Sequence, residues 1–167
     1  LTNARRHYGG LKDSGELEEG RRWALDLKNT LVISGDGAMK DYTETQPAPW
    51  KSYSQTVHRI EIREGITHIG DYSFENFTAL EVLVLPESLK SIGAYAFRNC
   101  PYLEMILYYG SMDSWDEIDI DEGNMPPLSK DLVESLLVSR YGLTGPIEVH
   151  ASGTAFAFFK TKPNAKG

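Results

Sequence analysis

The feature that most constrains this 167-residue chain is a recurrence at an interval of 23 residues. Under that shift Ile60 falls on Leu83, Ile62 on Leu85, Ile66 on Leu89 and Ile69 on Ile92. Gly70 falls on Gly93, Tyr72 on Tyr95, Phe74 on Phe97, Asn76 on Asn99, Phe77 on Cys100 and Leu80 on Leu103. A third copy starts at Ile106 and is abandoned after Tyr108. Neither the helical period of about 3.6 nor the strand period of about 2 produces such a recurrence. A unit this short cannot bury its own apolar face, so it must stack on its neighbour.

Stacking assigns roles to the repeated residues. Ile60/Ile62, Leu83/Leu85 and Ile106/Tyr108 alternate in and out as strand residues do, and align as rungs of a parallel sheet. Pro86 ends the second rung. Gly70 and Gly93 supply a backbone bend or a close approach on the opposite side. Phe74, Phe97 and the Phe77/Cys100 pair fill the space behind the sheet, and Asn76 and Asn99 satisfy turn backbone groups.

The pattern Ile66-x-x-Ile69-Gly70-x-x-x-Phe74-x-x-Phe77-x-x-Leu80-x-x-Leu83-x-Leu85-Pro86, with its copy ending in Cys100, resembles the BspA-type leucine-rich repeat. The flanks do too. Trp23-x-Leu25, Leu31 to Met39 and Pro49-Trp50 are similar to that family's N-terminal cap. Tyr108-Tyr109-Gly110-Ser111, Trp115, Ile118 and Gly123-Asn124 are similar to its closing segment. The resemblance covers residues 23–125 and implies a bacterial secreted or cell-surface protein of the adhesion or ligand-binding kind.

The expected fold is therefore a mainly β (α+β), right-handed leucine-rich-repeat solenoid with two full 23-residue repeats. Residues 1–22 are expected to be a flexible segment, 23–57 an N-terminal cap, and 58–127 the repeats and closing segment. In the cap, Trp23, Leu25 and Leu27 alternate, Lys28-Asn29-Thr30 turn, and Leu31 and Ile33 alternate back, which reads as a β-hairpin. Residues 40–57 read as an extended connection. Within 128–167, Ser129 precedes an apolar stripe of Leu132, Val133, Leu136, Leu137 and Tyr141, predicting a helix. Ile147/Val149 and Phe156/Phe158 predict a hairpin after it. That piece cannot sustain a core alone and is expected to pack on the solenoid or on a partner.

Composition narrows the function classes. Hydrophobic residues make up 41% and charged residues 25%, which suits a folded domain. No apolar run approaches the ~20 residues of a membrane helix, so no membrane insertion is expected. The chain begins at Leu1, which reads as a processed or excised form, so the missing signal peptide carries little weight against a secreted or cell-surface location. Net charge is −7, with Glu104, Asp113, Asp116, Glu117, Asp119, Asp121, Glu122, Asp131 and Glu134 set against Lys130. That field repels a phosphate backbone, so nucleic acid is not expected as a partner. Cys100 is the only cysteine, which leaves no internal disulfide.

No catalytic, cofactor or metal constellation is expected. Gly35-Asp36-Gly37 lacks the third glycine of a dinucleotide fingerprint and reads as a turn. Cys100 takes the repeat position of Phe77 and reads as a buried thiol. His7, His58, His68 and His150 show no metal-ligand spacing. Asp119-x-Asp121-x-Gly123-Asn124 hints at calcium but departs from the EF-hand order and reads as a solvated acidic loop.

The residues between the rung positions are more informative. Arg59/Glu61, Val82/Val84 and Met105/Leu107 point outward if the rungs point inward, and four of these six are apolar. A contiguous exposed apolar strip marks a contact. Either the chain's own segment Lys130–Tyr141 or aromatic hairpin covers the strip, or a partner does, with Arg59, Glu61 and Tyr109 on the rim. The partner would be a protein or glycan, such as a host surface component, or a second copy of the chain. The leading reading is a non-catalytic binding or adhesion module. A targeting segment of a larger secreted enzyme and a self-associating structural module are the alternatives.

Overall fold

The computed structural model describes residues 10–103, 105–124, 147–152 and 155–160. Among these, the architecture is two β-sheets facing one another across an apolar core, with little helix.

The rungs pair as their alternation dictates. Strands β5 (Arg59–Ile62), β7 (Val82–Leu85) and β9 (Met105–Tyr108) run parallel. Ile60 stands opposite Leu83 and Leu83 opposite Ile106, each 23 residues after the last. The opposite wall is a four-stranded parallel sheet of β4 (Gly37–Ala38), β6 (Ile66–Ile69), β8 (Ser91–Ile92) and β10 (Asp119–Ile120). Between the walls Trp50, Phe74 and Phe97 stack in a column with centroid spacings of 5.6 and 5.4 Å. Phe77, Leu80, Cys100 and Leu103 fill the space beside them.

The glycines that recur at the repeat spacing act through close approach. A Cβ on Gly70 would lie 1.8 Å from the Lys40 carbonyl oxygen, and one on Gly93 2.2 Å from Asp71 Oδ1. Positive φ falls elsewhere, at Asn76 (63°) and Asn99 (58°), and also at Tyr72 (57°) and Tyr95 (56°). The Asn99 amide donates to the Asn76 side-chain oxygen at 2.9 Å, tying one coil to the next. The two tyrosines pack at 5.2 Å, and the Arg98 guanidinium lies 5.6 and 4.8 Å from their ring centres. Arg98 also donates to Glu75 at 2.6 Å and to Glu44 at 2.5 Å.

At the N-terminal end β2 (Arg22–Asp26) and β3 (Thr30–Ser34) form the expected hairpin, turned by Asn29 at φ 61°. The Asp26 carboxylate accepts from the Lys28 and Thr30 N–H groups. β3 then lies parallel to β5, with Leu31 opposite Ile60. Leu27 departs from the alternation and is 66% exposed.

Residues 11–22, expected as part of a flexible segment, differ. Leu11–Glu16 form strand β1, antiparallel to β2. Its sequence has no strand signature; packing overrides propensity here. Gly15 lies flat on the Trp23 indole, where a Cβ would come within 2.4 Å of Nε1. Tyr53 donates from its hydroxyl to Asp13 at 2.5 Å. The stretch 40–57 is likewise more than an extended connection. Trp50 is buried and its indole N–H donates to the Ser73 carbonyl at 2.7 Å.

At the far end Ser111 caps a short helix α1 (Met112–Asp116), not anticipated from the sequence, in a reciprocal box with Ser114. Trp115 packs edge-on against Tyr108 at 5.2 Å. Asn124 then closes the array: its Oδ1 accepts from Phe97 N–H, and its Nδ2 donates to the Gly93 and Asp121 carbonyls. One coil earlier, the equivalent Phe74 N–H donates to the Ala96 carbonyl, so the amide stands in for the backbone of an absent coil. The expected hairpin is present as β11 (Ile147–Ser152) and β12 (Ala155–Lys160). β12 lies parallel to β9 with Phe158 opposite Leu107, extending the first sheet to the order β1-β2-β3-β5-β7-β9-β12-β11. The helix expected over Lys130–Tyr141 lies outside the described residues.

Candidate binding face and a histidine–carboxylate cluster

Register places the outward residues in two rows across the first sheet. One runs Thr30, Arg59, Val82, Met105 and the other Val32, Glu61, Val84, Leu107. Glu61 accepts from Arg59 Nε at 2.9 Å and pairs with Arg63 at 3.1 Å. The apolar part differs from expectation. Val82, Val84 and Met105 are only 7%, 5% and 2% exposed, yet none belongs to the main core between the sheets. They form a second apolar layer outside the first sheet, taken out of water by the chain itself. The open strip therefore shrinks to Arg59, Glu61 and Leu107, which are half-buried, and Tyr109, which is 68% exposed.

A second grouping sits on the opposite sheet. Pairing of β6 with β8 sets His68 against Ser91, and His68 Nδ1 lies 2.7 Å from Ser91 Oγ. His68 Nε2 lies 2.9 Å from Asp41 Oδ1, which also accepts from the Asp71 N–H at 2.9 Å. Asp71 Oδ1 accepts from Ala94 N–H at 2.8 Å, in the space that the bare Cα of Gly93 leaves. Burial opposes ionisation of the Asp41 carboxyl, but the hydrogen bonds from His68 and Asp71 outweigh it and hold its pKa below the usual carboxylate value. One imidazole nitrogen and two carboxylates thus converge within 4.8 Å.

Sequence spacing missed this cluster because Asp41 precedes the repeats. A signal was present nonetheless: under the 23-residue shift His68 becomes Ser91 and Asp71 becomes Ala94, so the first coil carries polar residues its copy lacks.

The remaining motifs have structural roles. Gly35 (φ 111°) and Gly37 (φ 103°) make a turn whose Asp36 carbonyl accepts from the buried Arg21 at 3.0 Å. Cys100 is buried, and burial pushes its thiol pKa up to about 12. His58 Nε2 lies 3.0 Å from the Lys28 carbonyl oxygen. In the acidic loop, Asp119 enters β10 and Gly123 (φ 77°) lies against the Tyr95 ring. His7 and the His150 side chain lie outside the described residues.

Parallel rungs at a 23-residue offset, backed by a second parallel sheet and joined by asparagine and glycine turns, define a repeat protein of the leucine-rich class. Residues 52–118 match the family model described as the BspA type leucine rich repeat region (6 copies), and over that stretch the chain is similar to this family. Among solved structures the chain is similar to a leucine-rich repeat protein from Eubacterium ventriosum, with TM-score 0.57 and 23% identity over 65% of this chain and 27% of that one. A leucine rich cell surface protein from Faecalibacterium prausnitzii matches with TM-score 0.33 and 19% identity, over 66% of this chain and 38% of that one. The chain therefore spans well under half the length of either structure. None of the curated proteins compared matches it. Among the described residues no helix is long and apolar enough to cross a membrane.

Proposed function

We propose that this chain is a non-catalytic binding module of a bacterial surface or secreted protein, contacting a protein or glycan through the accessible end of its first sheet. It is a right-handed solenoid of two full 23-residue repeats, in which residues 23–57 cap the array, 58–127 form the repeats and closing segment, and 128–167 pack on the solenoid or on a partner. The observation that carries the reading is the partly exposed charged group of Arg59 and Glu61 on β5 with Arg63 just after it, two strands from the exposed Tyr109 that follows β9. Aromatic and arginine side chains beside a water-excluded apolar layer are the composition of binding hot spots. Repeats of this type generally mediate protein binding, which supports the reading.

A glycan array and a panel of immobilised host extracellular proteins test the proposal against wild type, Glu61→Arg and Tyr109→Ala. Binding of at least one probe is expected, weakened about tenfold or more in each variant at unchanged circular dichroism. Binding that survives both changes, or none by wild type, overturns it. Light scattering at several concentrations reads self-association through the same face, which both variants would then abolish.

A further inference from the structure

The cluster of Asp41, His68 and Asp71 on the second sheet is independent of that face. We propose that these three residues bind a divalent transition-metal ion, with zinc the best fit. One imidazole and two carboxylates are ligands zinc accepts, and three protein ligands leave a fourth position for water. Their ligand atoms already lie within 4.8 Å of one another, so closing on an ion at about 2 Å from each needs only side-chain rotation.

The site is built on fixed backbone. His68 lies within β6, whose edges are held by β4 and β8. Ser91 Oγ engages His68 Nδ1, which fixes the ring and presents Nε2 to the carboxylates, the supporting arrangement that metal-bound histidines use. Asp71 is oriented by Ala94 N–H. The stretch carrying Asp41 is laced to the same coil: Met39 N–H donates to the His68 carbonyl at 3.0 Å and Tyr42 N–H to the Asp71 carbonyl at 2.9 Å. Among the described residues neither Asp41 nor Asp71 is paired with a lysine or arginine, so the two carboxylates have no competing fixed cation. An ion replaces the Asp41–His68 hydrogen bond with two coordinate bonds and clips residues 39–42 to the first coil. The next coil has Ser91 and Ala94 at the matching positions, so the site occurs once in the repeats.

Calorimetric titration of the metal-stripped full chain with zinc sulfate tests this, alongside His68→Ala, His68→Gln, Asp71→Asn and Ser91→Ala. One zinc per chain is expected, with heat lost in the His68 variants and in Asp71→Asn. Ser91→Ala should weaken binding about 10- to 100-fold by releasing the ring. His68→Gln keeps hydrogen-bonding groups toward Ser91 and Asp41, so it separates lost ligation from lost folding. A chain with His7, His58 and His150 all changed to Gln should bind as wild type does. Absence of zinc binding, binding unchanged in His68→Gln, or displacement of zinc by equimolar calcium overturns the proposal.

Discussion

Gly70 shows how little room a coil leaves for substitution. With the Lys40 carbonyl 1.8 Å from its missing Cβ, Gly70→Ala must push the chain apart, at a cost of about 1–3 kcal/mol in urea denaturation. Asn124→Ala strips partners from Phe97 N–H and the Gly93 carbonyl together, and should cost about 1–3 kcal/mol by the same measurement. At Cys100 the folded pKa is raised from 9.0 to about 12, so the folded chain holds its proton where the unfolded chain has lost it. The associated stability is fully present below pH 9.0 and is lost as pH rises toward about 12. Cys100 should accordingly resist a thiol reagent at pH 8 and react once urea unfolds the chain, whereas labelling of the native protein would show that the thiol is accessible. Gly70, Asn76 and Cys100 were legible because each recurs at the repeat spacing. The positive φ of Tyr72 and Tyr95 was not, because tyrosine has no local reason to adopt it; the stack with Arg98 supplies the compensation from outside the residue.

Among the elements, those whose apolar residues recur two apart could be read directly: β5, β7, β9 and the β2–β3 hairpin fall on Ile60/Ile62, Leu83/Leu85, Ile106/Tyr108, Trp23/Leu25 and Leu31/Ile33. β1 could not, since Leu11–Glu16 is mostly polar and pairs because β2 offers an edge and Trp23 a surface. Deleting residues 1–17 should therefore red-shift tryptophan emission and lower the urea midpoint, as Trp23 loses the strand lying on it. Unchanged emission would mean β1 shields nothing. The candidate sites divide the same way. Outward rows follow from a period of two, so their membership was readable; their burial was not, because exposure depends on tertiary packing that no local period encodes. The histidine–carboxylate cluster joins Asp41 to a strand 27 residues later, a distance no local pattern spans.

At the scale of the whole molecule, adjacent coils are joined by the same register at the same offset, so stability should be close to a sum over units and their contacts. Inserting a second copy of residues 59–81 after Glu81 should keep every downstream residue in register and raise the urea m-value in step with the added surface. An insertion three residues shorter should instead disrupt the downstream sheet, with a broadened transition. The stop at Asn124 bears on this growth. Because one carboxamide imitates the hydrogen bonding of a further turn of chain, the turn beside Phe97 is closed by a single side chain, and the same plug fits behind any copy that presents a Phe N–H and a Gly carbonyl. Reach thus becomes a matter of duplication alone: gene-level gain or loss of a unit lengthens or shortens the rod while its ending travels along intact.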